Sequence, residues 1–225
     1  MNTIDLFIAS LQTLFVEKTD AAVAASSKAY LKGQFGFIGM RTQDRRALTK
    51  MLLQEKALPN LEAVTTIVQT LWQMPEREYH HAAIQILAHY KKYWRPNTLS
   101  LMEQCLTTHS WWDSVDNLNA ECISEYFRLF PAALGTTTYW NKHDNMWLQR
   151  SSLIFQKAYK QRTDTDLLAQ HILYLAASKE FFIQKAIGWA LREYSKTNPD
   201  WVTDFVASNP LPALSKREAM RRIGW

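Results

Sequence analysis

The chain has 225 residues, a formal net charge of +5 and a hydrophobic fraction of 47%, which suits a globular protein whose core needs no disulfide. Its 6 glycines and 7 prolines are too few for a turn-rich all-β protein. The modest positive charge favours a polyanionic partner without requiring one.

Cysteine and histidine usage argues against a metal site. Cys105 and Cys122 lie among apolar residues without a CxxC pair, and the 6 histidines show no metal-ligand spacing, so we expect no metal or cofactor. No basic segment precedes the first apolar run, and no apolar stretch approaches the roughly 20 residues of a membrane span. We therefore expect a cytoplasmic protein.

Apolar residues recur at helical spacing along nearly the whole chain, and no run alternates long enough to predict a strand. Short breaks, most of them at prolines, separate the stripes. Ser215 and Glu218 match a capping box and predict a last short helix. The predicted helices cover residues 4–15, 61–71, 78–93, 99–106, 118–127, 147–159, 166–176, 181–194 and 201–207.

These elements predict an all-α fold, an α-α superhelix of stacked helical pairs rather than a globular bundle. The segments 147–159 and 181–194 are weakly similar to each other, since each starts near an aromatic residue and ends in tyrosine. No linker interrupts the pattern, so we expect one domain over residues 1–225, present as a monomer.

Trp112 and Asp116 are four residues apart and would share one helix face. An indole and a carboxylate on one surface suit a cationic guest, because the indole face attracts cations and the carboxylate adds a full charge. The alternative is a packed tryptophan beside a surface aspartate. Asp113 does not share this face, and we expect it to cap a helix that starts near Ser114.

Two further tryptophans have cations at helical spacing. Lys185, Trp189 and Arg192 follow an i, i+4, i+7 pattern, and Arg150 comes three residues after Trp147. A phosphate-binding groove needs cations for the backbone and aromatic faces for a sugar or base. The alternative places these tryptophans at helix–helix seams, covered by the aliphatic stems of arginine and lysine.

Three basic groups would together line a polyanion track, although each alone is more typical of a solvated face. The chain lacks a nucleophile elbow around its serines and a glycine-rich phosphate loop. The groups are Arg41, Arg45 and Arg46 near Tyr30 and Lys32; Lys157, Lys160 and Arg162; and Lys216, Arg217, Arg221 and Arg222.

Three motifs resemble those of the AlkD-type DNA alkylation repair proteins. The segment Phe35–Met40, followed by Arg45 and Arg46, resembles the N-terminal signature of that family. The segment Trp111–Asp116 resembles its central motif, and Phe181–Tyr194 resembles its long C-terminal motif. Their order and spacing extend over most of the chain.

The resemblance implies a stack of HEAT-like helical pairs with a concave, basic cleft for double-stranded DNA. Active members are glycosylases that remove N3- and N7-alkylated purines without flipping the base, unlike most base-excision enzymes. Asp116 matches the catalytic carboxylate, and Trp112 and Trp189 match tryptophans that contact the deoxyribose of the lesion. Arg150 matches an arginine beside the DNA backbone, and Tyr30 matches a nearby N-terminal aromatic residue.

The chemistry of such a lesion agrees with these residues. A cationic alkylpurine is already a good leaving group, so a carboxylate needs only to stabilise an oxocarbenium-like sugar and position water. We therefore predict a monofunctional DNA glycosylase with Asp116, Trp112 and Trp189 at its centre. The predicted DNA contacts are Arg150, Tyr30, Lys185, Arg192, Arg45, Arg46 and Lys157.

Two positions depart from the family pattern. Gln43 stands where a proline is frequent, and the lysine expected near Ala158 is out of register, with Lys157 and Lys160 on either side.

Some relatives keep the fold without glycosylase activity. The alternative function is therefore a non-catalytic helical-repeat protein that binds damaged or branched DNA, and a further one is a protein-binding scaffold. Retention of Trp112, Asp116 and Trp189 favours the active class.

Overall fold

The computed structural model describes residues 2–223, and their regular structure is helical. The one β feature in this range is an isolated bridge between Gly36 and Glu76, so the predicted all-α fold is confirmed. The helices are α1 (Thr3–Val16), α2 (Ala21–Tyr30), α3 (Thr42–Glu55), α4 (Leu61–Trp72), α5 (Arg77–His89), α6 (Thr98–Thr107), α7 (Trp112–Leu118), α8 (Ser124–Leu129), α9 (Gly135–Lys142), α10 (Met146–Ile154), α11 (Thr165–Leu175), α12 (Phe181–Tyr194), α13 (Pro199–Ser208) and α14 (Ala213–Met220).

Asparagine or aspartate side chains begin several of these helices by accepting hydrogen bonds from the free backbone N–H groups of the first turn. At the start of α10, for example, Asn145 accepts from the amides of Trp147 at 2.9 Å and Leu148 at 3.3 Å. The other caps of this kind are Asn2, Asp20, Asn60, Asp164 and Asn198.

One predicted helix is too long. The stripe over residues 147–159 predicts a single helix, but α10 ends at Ile154. The Gln156 side chain instead binds the backbone of Asp164: its Nε2 donates to the carbonyl at 3.2 Å, and its Oε1 accepts from the amide at 2.7 Å. The Tyr159 hydroxyl donates to the Ser124 carbonyl at 2.6 Å. Residues 155–163 form turns in which the backbone amides of Lys157, Tyr159 and Arg162 each bond to the carbonyl three residues earlier, and the side-chain bonds of Gln156 and Tyr159 anchor these turns.

The predicted capping box is wrong. α14 begins at Ala213, before Ser215, and Ser215 donates instead to the carbonyl of Gln184 in α12 at 2.8 Å. Asp113 is likewise not a cap, since α7 begins at Trp112 and places Asp113 in its first turn. There its carboxylate lies at the positive end of the helix dipole.

Other predicted boundaries shift by less. The stripe over residues 78–93 splits into α5 and a 3₁₀ turn at Lys91–Tyr93, and the stripe over 118–127 is interrupted by a π-helical turn at Asn119–Ile123. The apolar pattern did not mark α2, α3 or α9. α2 buries no residue, and the buried side chains of α3 include Arg45 and Thr49, so neither has a clean apolar stripe.

The chain divides into two compact units, residues 1–101 and 102–225. In the first, α1, α3, α4 and α5 pack around a core that includes Phe7, Leu11 and Phe15. In the second, α12 packs against α10 and α14, and α9 against α10 and α11. Among residues 2–223, none of the helices combines the length and apolar character that crossing a bilayer requires.

A buried carboxylate holds the motif Phe35–Met40 in the first unit. Glu78 of α5 accepts hydrogen bonds from the amides of Ile38 at 3.1 Å, Gly39 at 2.9 Å and Met40 at 3.1 Å. Gly39 has φ +96°, and a β-carbon there would collide with the Asp20 carbonyl. The N-terminal signature is thus explained by a loop that needs glycine and is held by one glutamate.

Candidate active site

Asp116 and Arg150 form a bidentate ion pair in the second unit. Arg150 Nε donates to Asp116 Oδ1 and Nη2 donates to Oδ2, each at 2.8 Å. The third branch of the guanidinium, Nη1, donates to the Phe182 carbonyl at 2.6 Å. The Arg150 side chain is 5% exposed and the Asp116 side chain 15%, so both are largely buried and Asp116 is the more accessible of the two.

A π-helical turn follows Asp116 and ties its helix to α10. The Asn119 amide donates to the Val115 carbonyl and to the Ser151 hydroxyl, both at 2.9 Å. Ser151 directly follows Arg150, so this bond fixes the register of the helices that carry the ion pair. Such π turns are rare and are frequently found at functional sites.

Trp189 of α12 presents its ring to two cations. The Lys157 ammonium lies 3.3 Å from the ring centroid and the Arg150 guanidinium carbon 5.9 Å from it. Burial lowers the pKa of Lys157, while the negative charges of Asp116 and Glu193 act in the opposite direction. The site therefore combines a carboxylate, an indole face and an ammonium within one unit, which we call the site cluster (Asp116, Arg150, Lys157 and Trp189).

Trp112 begins α7 and is partly exposed, one turn before Asp116 on the same helix face. Both residues therefore lie in one helix, as their spacing predicted.

Three aromatic rings, each at the start of a helix that carries a site residue, pack together. Trp111, Trp147 and Phe182 contact one another with ring centroids 5.2 to 5.8 Å apart. Because Phe182 supplies the carbonyl that binds Arg150, this packing helps to orient the guanidinium. The Trp111 indole N–H is buried and has no hydrogen-bond partner in the described part of the chain.

Lys185 and Arg192 do not stack on Trp189, although all three lie on one side of α12. Both bind Glu218 of α14, Lys185 Nζ to Oε1 at 2.9 Å and Arg192 Nη1 to Oε2 at 2.8 Å. The hydrogen bond from Lys185 is the main cause that lowers the pKa of Glu218. Gly188 lies between them, and a β-carbon there would be 2.5 Å from that of Glu218. We call these four residues the docking cluster.

Three predicted DNA contacts lie in the first unit. Tyr30, at the end of α2, is 71% exposed, and Arg46 of α3 is also exposed. Arg45 is 5% exposed, which leaves little of its side chain for a ligand. Within residues 2–223, no group of three or more histidine, cysteine, aspartate or glutamate side chains is placed to hold a metal ion.

Sequence patterns missed the residues that position the pair. The Phe182 contribution is a backbone carbonyl, which no side-chain motif reveals. Asn119 and Ser151 are 32 residues apart, and only the fold brings them together. The spacing of Ser215 and Glu218 suggested a helix cap, so the sequence did not indicate that Glu218 pairs with Lys185 and Arg192.

A family model described as DNA alkylation repair enzyme matches residues 11–223 of the chain. A search of curated proteins returned no significant match.

Solved structures with the same fold include a predicted DNA alkylation repair enzyme from Enterococcus faecalis. It is 33% identical, with a TM-score of 0.86 over 92% of this chain and 97% of that one. AlkD2 from Streptococcus mutans is 17% identical, with a TM-score of 0.64 over 88% and 98% of the two chains. The protein smu.31 from Streptococcus mutans UA159 is 16% identical, with a TM-score of 0.63 over 89% and 97%. At these identities the two streptococcal structures support the helical-repeat fold alone.

Proposed function

Because the chain belongs to the DNA alkylation repair enzyme family, we propose that it is a glycosylase that hydrolyses the N-glycosidic bond of N3- or N7-alkylated purines in duplex DNA. The observation that carries this proposal is the carboxylate of Asp116, held by Arg150 with 15% of its side chain exposed, in one unit with the ring of Trp189. Family membership makes DNA the expected partner.

Asp116 would stabilise positive charge on the sugar. The two Arg150 bonds use two of the roughly four lone-pair sites of the carboxylate, so it keeps acceptor capacity for a water molecule. As the alkylpurine leaves, the sugar becomes oxocarbenium-like, and a fixed negative charge nearby lowers the energy of that state. The same carboxylate can orient the attacking water toward C1′.

Trp112 and Trp189 would form the walls against the deoxyribose. An indole face attracts the developing cation, as the Lys157 ammonium on Trp189 illustrates in the free protein. Recognition at the sugar leaves the base outside a pocket, which suits release without base flipping. This base-release step is that of a monofunctional glycosylase, since water is the nucleophile.

DNA contacts are proposed for the exposed side chains of Tyr30 and Arg46 and for Lys157. Arg150 is buried, so we propose that it acts mainly by positioning Asp116. Lys185 and Arg192 have a carboxylate partner already, which weighs against a phosphate contact there.

The test is single-turnover release of 7-methylguanine from a methylated duplex by the wild type and by Asp116→Asn. We expect the substitution to lower the rate about 100-fold or more, because it removes a fixed charge from the site. Binding to undamaged duplex should be retained. Asp113→Asn, the same change three residues away, is the matched control and should keep the wild-type rate.

Equal rates for wild type and Asp116→Asn would remove Asp116 from the mechanism. Absence of base release by the wild type, together with tight and salt-dependent duplex binding, would favour the non-catalytic DNA-binding protein. Weak binding with little salt dependence would favour a protein-binding scaffold.

A further inference from the structure

A cavity of about 490 Å³ lies in the second unit between the turns that follow α10, the first turns of α11 and the end of α12. Asp116, Arg150 and Trp189 lie outside its described lining, so the cavity is a feature separate from the candidate active site. Its volume falls within the range of about 300–1,000 Å³ that is typical of small-ligand sites.

The inner surface of this cavity is apolar, and its outer part is polar. Leu153, Leu168 and Ala190 line it and are each at most 4% exposed. Lys160 and Lys196 line it from exposed positions. An apolar floor with a few polar groups around it is the usual composition of a ligand pocket.

The lysines of the lining outnumber its acidic groups. Glu193 is the one acidic residue in the described lining, and Lys196 donates to both of its carboxylate oxygens, at 2.6 and 2.7 Å. In the part of the chain that the structure describes, the ammonium groups of Lys157 and Lys160 have no carboxylate partner. Other lysines are unpaired on the open surface, whereas these two line one cavity, so an anion inside it would be attracted by both.

The wall of the cavity that carries Lys160 is braced by the rest of the fold. The bonds of Gln156 to the Asp164 backbone and of Tyr159 to the Ser124 carbonyl anchor the turns on either side of it. Lys160 itself has φ +54°, a left-handed conformation that is uncommon for residues other than glycine. Such costly conformations persist only where the surrounding structure enforces them, and they cluster at binding sites. The Lys160 backbone is therefore already fixed in the free protein.

We propose that this cavity binds a nucleoside monophosphate, as a site separate from the candidate active site. The phosphate would accept hydrogen bonds from Lys157 and Lys160, and the base would cover the apolar floor. A phosphate ion alone would fill a small part of the cavity and leave that floor uncovered. A sugar phosphate without a base would place hydroxyl groups against apolar side chains, which costs free energy.

The bound nucleotide would also influence Trp189 through Lys157. The Lys157 ammonium lines the cavity and lies 3.3 Å from the centroid of the Trp189 ring. The phosphate and the indole face would therefore compete for one ammonium group. The indole N–H signal of Trp189 reports on this competition, although the ring does not line the cavity.

The experiment is an NMR titration of the full chain with 2′-deoxyadenosine 5′-monophosphate, with deoxyadenosine and inorganic phosphate titrated separately. We expect the nucleotide to bind at least about tenfold more tightly than either part, because it joins a group for the floor to a group for the lysines. The Trp189 indole signal, assigned by its loss in Trp189→Phe, should shift as the nucleotide binds.

Two variants test the two halves of the cavity. Lys160→Asn removes the ammonium and places a residue that tolerates the left-handed backbone, so it should fold normally and bind the nucleotide about 5- to 10-fold more weakly. Ala158→Phe introduces a ring at an exposed lining position without changing charge, and it should weaken nucleotide binding more than phosphate binding. Lys179→Asn, at an exposed lysine outside the lining, is the matched control and should keep the wild-type affinity.

Four outcomes would each overturn the proposal: no nucleotide binding at millimolar concentration, equal affinities for the nucleotide and inorganic phosphate, unchanged affinity in both cavity variants, or a Trp189 signal that does not move. Equal affinities would mean that the cavity recognises phosphate alone, which a DNA backbone also offers. None of these measurements depends on base release. Failure of the glycosylase proposal would therefore be seen separately, in the 7-methylguanine assay.

Discussion

The site cluster and the docking cluster both use α12, and they use charge in different ways. In the docking cluster one carboxylate, Glu218, is shared by Lys185 and Arg192, so every charge has a partner and the result is a helix contact. In the site cluster Arg150 forms an ion pair with Asp116, and the Lys157 ammonium contacts the Trp189 ring.

This difference in how the charges are paired distinguishes a contact that holds two helices together from a cluster that can bind a ligand. A cation that is already paired has little to gain from a ligand, because a new contact must replace an existing one. The Lys157 ammonium on its aromatic face can exchange that contact for a ligand at small cost, whereas Asp116 keeps Arg150 and offers only its remaining acceptor sites. The partners that each charge has across the fold are therefore the better basis for proposing a site than the presence of charges on one helix face.

The largest expected effect is that of Arg150→Met. It leaves the mostly buried Asp116 without its partner, and breaking such a pair costs about 3–5 kcal/mol of unfolding free energy. Urea unfolding should show this loss, and base release should fall with it. The double variant Arg150→Met/Asp116→Asn should recover part of the stability, because no unpaired charge remains. An equally unstable double variant would mean that Arg150 contributes packing rather than pairing.

Gly188→Ala tests the docking cluster. Its new β-carbon would lie 2.5 Å from the Glu218 β-carbon and 2.8 Å from the Ser215 carbonyl oxygen, so α14 must move. Overpacking of this kind costs about 1–3 kcal/mol, against roughly 1 kcal/mol gained in helix propensity. We expect a lower melting temperature but near-normal base release at 25 °C from the folded fraction. A stabilised variant would show that α14 is not held at this distance.

The sequence predicted the fold well, because each helix needs one apolar face and that face repeats within a few residues. The proposal of Trp112, Asp116 and Trp189 as site residues came from motifs that are local in the chain, and it stays a prediction. The sequence could not separate Arg150 from Lys185 and Arg192. Their partners lie far along the chain, with Asp116 34 residues from Arg150 and Glu218 26 residues from Arg192. Spacing within one helix carries no information about such partners.

Glu218→Gln should destabilise the protein in a pH-dependent way. The pKa of Glu218 is lowered, first by the hydrogen bond from Lys185, so its charge stabilises the folded state above the ordinary glutamate pKa of about 4.3. The wild type should exceed the variant by about 1 kcal/mol at neutral pH, and the difference should shrink as pH falls through the lowered pKa. Glu125→Gln, in the exposed pair with Arg128, is the control and should show a smaller change.

The smallest expected effect is that of Lys185→Met, and it tests the comparison directly. Lys185 is 34% exposed, so the loss of its pair with Glu218 should cost at most about 0.5 kcal/mol. If its charge serves only the docking of α14, the affinity for duplex and its salt dependence should stay at the wild-type values. Arg46→Met removes an exposed cation that we propose to contact phosphate, and the slope of log affinity against log salt should decrease by about 1. A similar decrease for Lys185→Met would show that Lys185 reaches the DNA backbone while it is paired, and the division of α12 into a docking side and a chemical side would then fail.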